Sequence, residues 1–552
     1  LDASGSNYDI SLTGNWSNNS GTFTPQNGTV TFNGSAAQTI SNTNTFYDLT
    51  INNTHSTSKV DASSSSLAVS NNLTITDGIF KSASDYVNVT ISSGGTLELS
   101  GDITVSGNWT NSAGTFTHQN NKVTFDGSGS QTVTTGGSGA GKTFYDVEIN
   151  NTYGSPGDAN DVDADEIVVS NTLTLTDGQF QPANNSDFNN ITFAANGILK
   201  PDASATITVS GTWTNSASGT FTHNSGTVKY DGGAQDVASE NYYNLIADQS
   251  GNKTAGGSIN VANDMTISNS ATFLTSVQTI DVSGATTVSA TLDIGNGQYH
   301  SRGGFSASGA VNFSHNGGKL NFFTVSPTSL GTLDNSRGTV DYELGATDVL
   351  SDDYFALRIK GGGTAKTLQG DVNVADDLNI DASNELNLGN NTLTVSGSSV
   401  IEGTLDFDNA GVFDANSTFN ATGGTVQFTG SGGILQLGGA TVTSLGTLTE
   451  GTGTVDYDYA GGQSVKLRTY YNLRMKGSGT KTTPGSGATG TITVSNDLTI
   501  DAGVTLDIAP WVFIIFLGII QLGLSYIFFS TAIKYVKALD AIIYTVIEPL
   551  VN

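Results

Sequence analysis

Apolar residues recur at every second position in short segments along most of the chain. Such segments read ITVSGNW from Ile103, ITVSGTW from Ile207, INVANDM from Ile259 and VNVADDL from Val372. This alternation is the pattern of a β-strand with one buried face. The fifth position also has inward parity, yet it holds Gly, Asn or Asp, which indicates a corner, a stacked row of amides or an ordinary turn. We therefore predict short strands joined by corners.

An aromatic pair followed by a short alternating segment recurs along the chain at intervals of about 100 residues. Repetition of this kind is typical of proteins built from stacked structural units. We expect an aromatic residue of each copy to point inward and close the core at a corner. The copies are FYDLTIN from Phe46, FYDVEIN from Phe144, YYNLIAD from Tyr242, YFALRIK from Tyr354 and YYNLRMK from Tyr470.

Two all-β architectures could produce this repeat, namely a string of Ig-like β-sandwiches and a β-solenoid. VSNNLTITDGIF from Val69 is echoed by VSGNWTNSAGTF from Val105 within a single unit. Successive coils of a solenoid resemble each other in this way, whereas the strands of a sandwich have no reason to. We predict an elongated parallel β-solenoid (a β-helix) of imperfect repeats over residues 1–508, in five units of about 100 residues. Tandem Ig-like β-sandwiches are the alternative.

Composition narrows the choice of function. Only 12% of the 552 residues are charged, 68 are glycine and none is cysteine, which excludes disulfides and thiolate metal sites. The 20 basic and 49 acidic residues give a net charge of −29, which argues against nucleic acid as a partner. Such a surface favours solubility and attracts divalent cations.

The last part of the chain, residues 509–552, has a different composition. From Val512 to Ile533 it contains no charged residue, and this length suffices for a transmembrane helix. Lys534 and Lys537 follow directly, so the positive-inside rule places this flank in the cytoplasm and the repeats outside. The apolar stretch from Ala541 to Val551 is half as long. We therefore predict a transmembrane α-helix followed by a half-helix, which would attach the protein to a membrane.

One acidic loop is a candidate calcium site. The sequence DANDVDADE begins at Asp158, and calcium prefers six to eight oxygen ligands and accepts irregular loops. The loop lacks the glycine of an EF-hand, and a solvated acidic loop is the alternative interpretation. No other cofactor is indicated. The candidate ligands are Asp158, Asn160, Asp161, Asp163, Asp165 and Glu166.

A catalytic centre is harder to argue. The acidic pairs Asp352–Asp353 and Asp376–Asp377 have no Arg or His at the repeat spacing, and no two histidines have the spacing of a zinc motif. We therefore expect a protein that is not an enzyme. The alternative is a β-helix enzyme acting on polysaccharides, which would need Asp352, Asp353 or Asp376 to converge with Arg358 or Lys360.

The VSNNLTITDG and GNWTNSAGTFT blocks resemble those of bacterial repetitive β-helix surface proteins such as filamentous adhesins, over residues 1–508. The resemblance implies display at the cell surface or secretion, and a structural or adhesive role. It also implies glycans or other surface proteins as partners.

The tail resembles a fragment of an EamA-type transporter of the drug/metabolite transporter superfamily. The matching text is PWVFIIFLGIIQLGLSYIFFSTAIKYVKALDA, followed by IEPLVN. That family has about ten membrane helices, of which one and a half would be present here. A repeat protein fused to a transporter fragment is therefore a third alternative, and it depends on the tail alone. The matching positions are Gly518, Gly523, Tyr526, Ala532, Lys534, Ala538, Glu548 and Pro549.

Overall fold

The computed structural model describes residues 1–507 except 4, 56, 58, 154–160, 216–217 and 485–489, and it also describes the backbone of 514–516. The chain divides into two units, Leu1–Gly361 and Gly362–Asn552. The described residues of each unit form short parallel strands, and none of them forms a helix. The domain boundary predicted between residues 508 and 509 stays a prediction.

The strands of the first unit are Ile10–Leu12, Trp16–Ser17, Thr29–Phe32, Gln38–Ser41, Asn44–Asn52, Lys59–Asp61, Leu67–Ser82, Asp85–Ile91, Gly95–Leu99, Ile103–Val105, Trp109–Thr110, Thr115–Thr117, Lys122–Phe125, Gln131–Thr134, Phe144–Asn150, Val162–Ala164, Val168–Asp177, Gln179–Pro182, Ser186–Phe193, Ile198–Leu199, Thr206–Val209, Trp213–Asn215, Thr220–Phe221, Thr227–Tyr230, Gln235–Val237, Asn241–Tyr242, Asn244–Ala247, Gly251–Ala255, Ile259–Val261, Met265–Ile267, Ala271–Leu274, Thr279–Val282, Thr286–Val288, Thr291–Asp293, Gln298–Ser301, Phe305–Asn312, Lys319–Phe322, Ser329–Leu333, Thr339–Tyr342, Asp348–Val349, Asp353–Tyr354 and Ala356–Ile359.

The strands of the second unit are Lys366–Leu368, Val372–Val374, Leu378–Ile380, Glu385–Asn387, Thr392–Val395, Ser399–Ile401, Thr404–Asp406, Val412–Ala415, Phe419–Asn420, Thr425–Gln427, Ile434–Leu437, Val442–Ser444, Thr447–Thr449, Thr454–Tyr457, Gln463–Ser464, Thr469–Tyr470, Asn472–Met475, Gly479–Thr482, Ile492–Val494, Leu498–Ile500, Val504–Asp507 and Ile514–Phe516.

The strand pairings confirm the solenoid and exclude the sandwich. In the first unit Val30 is the register partner of both Ile10 and Leu49, so parallel partners lie about 20 residues apart in the chain. In the second unit Leu435 is paired in the same way with Phe413 and Val455. Parallel pairing at this short interval requires coils that stack on one another, whereas the sheets of an Ig-like sandwich are antiparallel.

The first aromatic residue of every repeat copy lies in the core, as the sequence predicted. Phe46 and Phe144 also contact Trp16 and Trp109, with ring centroids 5.2 and 5.3 Å apart. Burial of one such side chain contributes about 1.5–3 kcal/mol, and stacking on neighbouring coils makes that burial possible. The five residues, each at most 1% exposed, are Phe46, Phe144, Tyr242, Tyr354 and Tyr470.

The fifth position lies between two strands in the segments that begin at Ile103, Ile207, Ile259 and Val372, as the corner interpretation predicts, whereas Asn71 and Asn171 lie within continuous strands. At Gly107 the chain bends between the strands Ile103–Val105 and Trp109–Thr110. A buried glutamine of the next coil, Gln131, donates its side-chain amide to the carbonyls of Val105 (2.8 Å) and Gly107 (2.7 Å). The same paired contact recurs from Gln38 to Leu12 and Gly14, from Gln235 to Val209 and Gly211, and from Gln463 to Leu437 and Gly439.

A closed ring of hydrogen bonds between two buried tyrosines and one backbone residue recurs in the last three copies. The Leu350 amide donates to the Tyr342 hydroxyl at 3.2 Å, and the Tyr354 hydroxyl donates to the Leu350 carbonyl at 2.8 Å. Since Tyr354 uses its only hydrogen there, Tyr342 donates to Tyr354 across 3.0 Å. The equivalent rings contain Tyr230, Ala238 and Tyr242, and Tyr457, Lys466 and Tyr470.

The prediction of a transmembrane helix and a half-helix at the C-terminus is wrong. No helix of membrane-spanning length and hydropathy occurs among the described residues. Within the predicted span, Ile514–Phe516 forms a strand whose register partners are Ile492–Val494. An uncharged run rich in Ile and Phe suits a strand as well as a helix. The other residues from 508 onward, including Ala541 to Val551, lie outside the described residues.

Replacing Gly78 by alanine is expected to lower the thermal unfolding midpoint, measured by far-UV circular dichroism. Gly78 has a φ of 78°, and a Cβ there would overlap the carbonyl oxygen of Asn53. The left-handed conformation alone costs alanine about 1–2 kcal/mol. Gly14→Ala is the control, because no heavy atom lies within 4 Å of a Cβ at that position. Equal midpoints for the two variants would contradict this account.

We expect Tyr470→Phe to destabilise the second unit by about 1–3 kcal/mol, because the Tyr457 hydroxyl loses its acceptor and the Lys466 carbonyl loses its donor. The matched control is the adjacent Tyr471→Phe, since Tyr471 is half-buried whereas Tyr470 is fully buried. Denaturant unfolding of both variants tests the expectation. A larger loss for Tyr471→Phe than for Tyr470→Phe would show that the ring does not stabilise the fold.

Candidate functional site

Parallel stacking in register aligns outward-pointing polar residues in columns on one sheet of the first unit. Strand alternation turns Tyr299, Leu320, Val340 and Leu357 inward, so the residue after each of them points outward. We call the two adjacent columns formed here the polar face. The first column contains Asp281, His300, Asn321, Asp341 and Arg358, and the second contains Arg302, Phe323, Glu343 and Lys360.

Arg302 organises one end of the polar face. Its guanidinium donates two hydrogen bonds to the carboxylate of Asp281, at 2.6 and 2.7 Å. The same group lies 4.5 Å from the ring centroid of Phe323, a cation–π distance. His300 meets Phe323 edge-on at 5.1 Å between ring centroids. These contacts hold the cation between a carboxylate and an aromatic ring.

Lys360 organises the other end. Its ammonium lies 2.7 Å from a carboxylate oxygen of Asp341 and 3.1 Å from one of Glu343. It also donates to the side-chain carbonyl of Asn321 at 3.3 Å. Asp341 is 0% exposed and Asn321 is 1% exposed, although strand alternation points both away from the core. The long side chains around them therefore exclude water from this end of the face.

Burial and ion pairing act in opposite directions on the pKa values of the polar face. Burial raises the pKa of Asp341, against the opposing attraction of Lys360, Lys319 and Arg358. Burial also lowers the pKa of His300, which favours the neutral imidazole. Burial alone would lower the pKa of Lys360, but Asp341 and Glu343 outweigh it and raise that pKa. The face thus combines a buried acid, an amine and a buried amide within contact distance.

The acidic pairs identified from the sequence have other partners. Asp352 accepts a hydrogen bond from the Asp353 amide at 2.8 Å, which is a local turn contact. In the second unit Asp377 accepts from the Ser398 amide at 2.9 Å. Lys360 binds Asp341 and Glu343, as described above. The polysaccharide-enzyme alternative required Lys360 or Arg358 at one of the acidic pairs, and its Lys360 arrangement is not observed.

The candidate calcium ligands that the structure describes are spread over different partners. Asp161 accepts from the Gln179 amide at 2.6 Å and is fully buried. Asp165 accepts from the amide and the hydroxyl of Thr135, both at 2.8 Å, and the Glu166 carbonyl accepts from that hydroxyl at 2.5 Å. Asp163 points outward, and its pKa is raised by burial and by the nearby Asp202 and Asp165.

No group of three or more His, Asp or Glu side chains that could share a metal ion occurs in the described part of the chain. Asp158 and Asn160 lie outside it, so the calcium site stays a prediction.

Sequence analysis missed the buried members of the polar face. Asp341 belongs to the motif GTVDY, which returns as GTVDY at Asp456, and Lys360 ends the YFALRIK element, which returns as YYNLRMK at Lys476. The sequence did contain a signal for this site: both motifs recur, and the alternation places the aspartate of GTVDY on the outward side of its strand. The alternation could not show that Asp341 and Lys360 lie in neighbouring coils, because that depends on loop lengths.

Comparisons with protein families, curated proteins and solved structures found no match to this chain. Its function therefore has to be inferred from its own fold and geometry.

The ion pair of Asp248 with Lys229, 2.9 Å apart, predicts a pH-dependent stability. Burial alone would raise the pKa of Asp248, but hydrogen bonds from Lys229, Ser268 and Asn269 outweigh it and lower the pKa to about 2. Because the pKa of Asp248 is lower in the folded protein, its carboxylate stabilises the fold at pH values above its ordinary pKa of 3.8. This contribution is lost as the pH falls toward about 2. It amounts to about 2 kcal/mol.

We expect Asp248→Asn to lower the unfolding free energy more at about pH 6 than at about pH 2. Denaturant unfolding of variant and wild type at both pH values measures the difference. An equal loss at the two pH values would contradict the assignment.

Proposed function

We propose that this chain is a non-enzymatic structural repeat protein of the adhesin type, displayed at the cell surface or secreted. Its solenoid presents an extended acidic surface to glycans or to other surface proteins. The proposal is supported by the parallel β-solenoid, a fold that suits repeat proteins, and by the resemblance of the VSNNLTITDG and GNWTNSAGTFT blocks to those of bacterial surface proteins.

The proposed lack of enzymatic activity is supported mainly by the polar face, whose carboxylates are paired with cations of the same face. A glycan-cleaving acid or base must reach the glycosidic oxygen or the sugar ring. Asp341 is 0% exposed, and Asp281 is engaged by two hydrogen bonds from Arg302. These carboxylates lie within the stack of coils, which leaves them little capacity to act on a polymer outside it.

Surface display is tested by adding protease to intact cells that naturally produce the chain, with detection by antibodies against the repeats. We expect digestion of the repeats in intact cells while a cytoplasmic protein of the same cells stays intact. Digestion that occurs only after lysis would refute the proposed location.

The lack of enzymatic activity is tested by incubating the purified chain with a panel of acidic and neutral glycans. We expect retention of some glycans by the immobilised protein without release of new reducing ends or unsaturated products. Product formation that disappears in Asp281→Asn or His300→Ala would instead favour the polysaccharide-active enzyme.

A further inference from the structure

Three side chains of the polar face meet in an arrangement that the proposed function does not use. The Lys360 ammonium contacts both the Asn321 side-chain carbonyl at 3.3 Å and the Asp341 carboxylate at 2.7 Å. Asn321 and Asp341 are register partners on adjacent strands. Lys360 directly follows the next strand, Ala356–Ile359. It comes two residues after Arg358, which is the register partner of Asp341. An amine, a carboxamide and a carboxyl group are thereby brought together by three successive coils.

The amide of Asn321 is not accounted for by an ordinary structural role. Its side-chain nitrogen is buried and has no hydrogen-bond partner among the described residues. Leaving a buried donor unsatisfied costs about 1–3 kcal/mol, and such groups in native proteins call for an explanation. The carbonyl of the same amide accepts a hydrogen bond from Lys360, so Nζ is held beside the amide group.

We propose that Lys360 and Asn321 become joined by an isopeptide bond between Nζ of the lysine and Cγ of the asparagine. Asp341 acts as the acid–base group. It first accepts a proton from the Lys360 ammonium, which leaves a neutral amine, and it then hydrogen-bonds to the Asn321 carbonyl oxygen as the amine attacks the carbon.

The reaction balances without a co-reactant. The Nζ–Cγ bond forms and the Cγ–Nδ2 bond breaks, while Asp341 passes the proton it holds to the departing nitrogen, which leaves as ammonia. Asp341 then takes up the surplus proton of the attacking nitrogen, and transfer of that proton to ammonia gives ammonium and restores the carboxylate. The products are a secondary amide and ammonium. No oxidant, reductant or metal takes part.

Two features of the site favour this step. Burial raises the pKa of Asp341, which favours proton transfer from the ammonium, although Asp341 and Glu343 also raise the pKa of Lys360, which opposes that transfer. The fold also holds the amine and the amide in contact, so they need not meet by diffusion. In well-oriented reactions such positioning lowers the activation barrier by up to about 7–11 kcal/mol. Glu343 opposes the step, because its contact with Lys360 stabilises the ammonium form, and a slow, single-turnover reaction is expected.

The second unit contains a natural comparison site. Gln436, Asp456 and Arg474 are successive register partners, as Asn321, Asp341 and Arg358 are in the first unit. Here the amide belongs to the longer Gln436, which is half-buried, and Lys476 lies 3.7 Å from Asp456. The looser acid–lysine contact and the more exposed amide predict that this site does not react.

Mass spectrometry of the purified full-length chain tests the bond. We expect the denatured protein to be lighter than its sequence by one ammonia molecule. Trypsin should release a joined pair of peptides, residues 320–337 with residues 359–366, that remains joined after reduction and denaturation. Recovery of both segments as separate linear peptides with intact Asn321 and Lys360 would refute the proposal.

Variants assign the roles. Lys360→Arg keeps the positive charge but supplies no amine for the bond, so it should restore the missing mass, as should Asn321→Ala. Asp341→Asn should slow bond formation and leave linear peptides after purification, whereas a full cross-link in that variant would show that Asp341 is not the acid–base group. Lys476→Arg is the matched control and should keep the joined peptide pair. Circular dichroism confirms that each variant is folded, and peptide mapping of wild type decides the proposal even if a variant is not.

Discussion

Every feature of this protein depends on parallel stacking in register, which places the same position of successive coils about 4.8 Å apart in a column. A residue's neighbours are then the equivalent residues of the coils before and after it, and like charges in one column repel. The polar face shows how the chain avoids this cost. No two like charges are neighbours along its first column, which contains Asp281, His300, Asn321, Asp341 and Arg358.

The same constraint applies inside the coils, because each corner carries backbone groups that the strand ladders do not bond. The glutamines equivalent to Gln131 satisfy pairs of carbonyls at the corner, and the tyrosine rings equivalent to Tyr342–Tyr354 satisfy an amide and a carbonyl together. Buried polar networks stabilise a fold when their members are satisfied, and Gln463 departs from this pattern because its side-chain oxygen has no hydrogen-bond partner among the described residues. Recurrence of these networks explains why Gln and Tyr reappear at core positions of a chain whose other inward residues are mostly apolar.

The sequence was sufficient to predict the strands, the inward aromatic residues and the corners, because each depends on a local period that the side chains display. It was insufficient for the polar face. Whether Lys360 reaches Asp341 and Asn321 depends on the number of residues in each intervening turn, and alternation carries no such information. The error at the C-terminus has another origin. The run from Val512 to Ile533 is uncharged and mostly apolar, and such a run shows no clear alternation of buried and exposed positions from which helix and strand can be distinguished.

Stacking of the coils also makes the outer surface more acidic than the composition alone implies, because it buries or pairs several of the basic residues. The chain has only 20 basic residues, and three lysines, Lys253, Lys366 and Lys481, are fully buried, where each ammonium group donates to a backbone carbonyl. Lys253 and Lys481 occupy the register position next to the core glutamine that Val60 and Val162 occupy in earlier copies. Lys360 and Arg302 are engaged by carboxylates of the polar face. Because these cations face inward or are already paired, the unpaired charge left on the outside is predominantly acidic. Its self-repulsion is reduced by salt or by bound cations, so the ionic medium contributes to the stability of this solenoid.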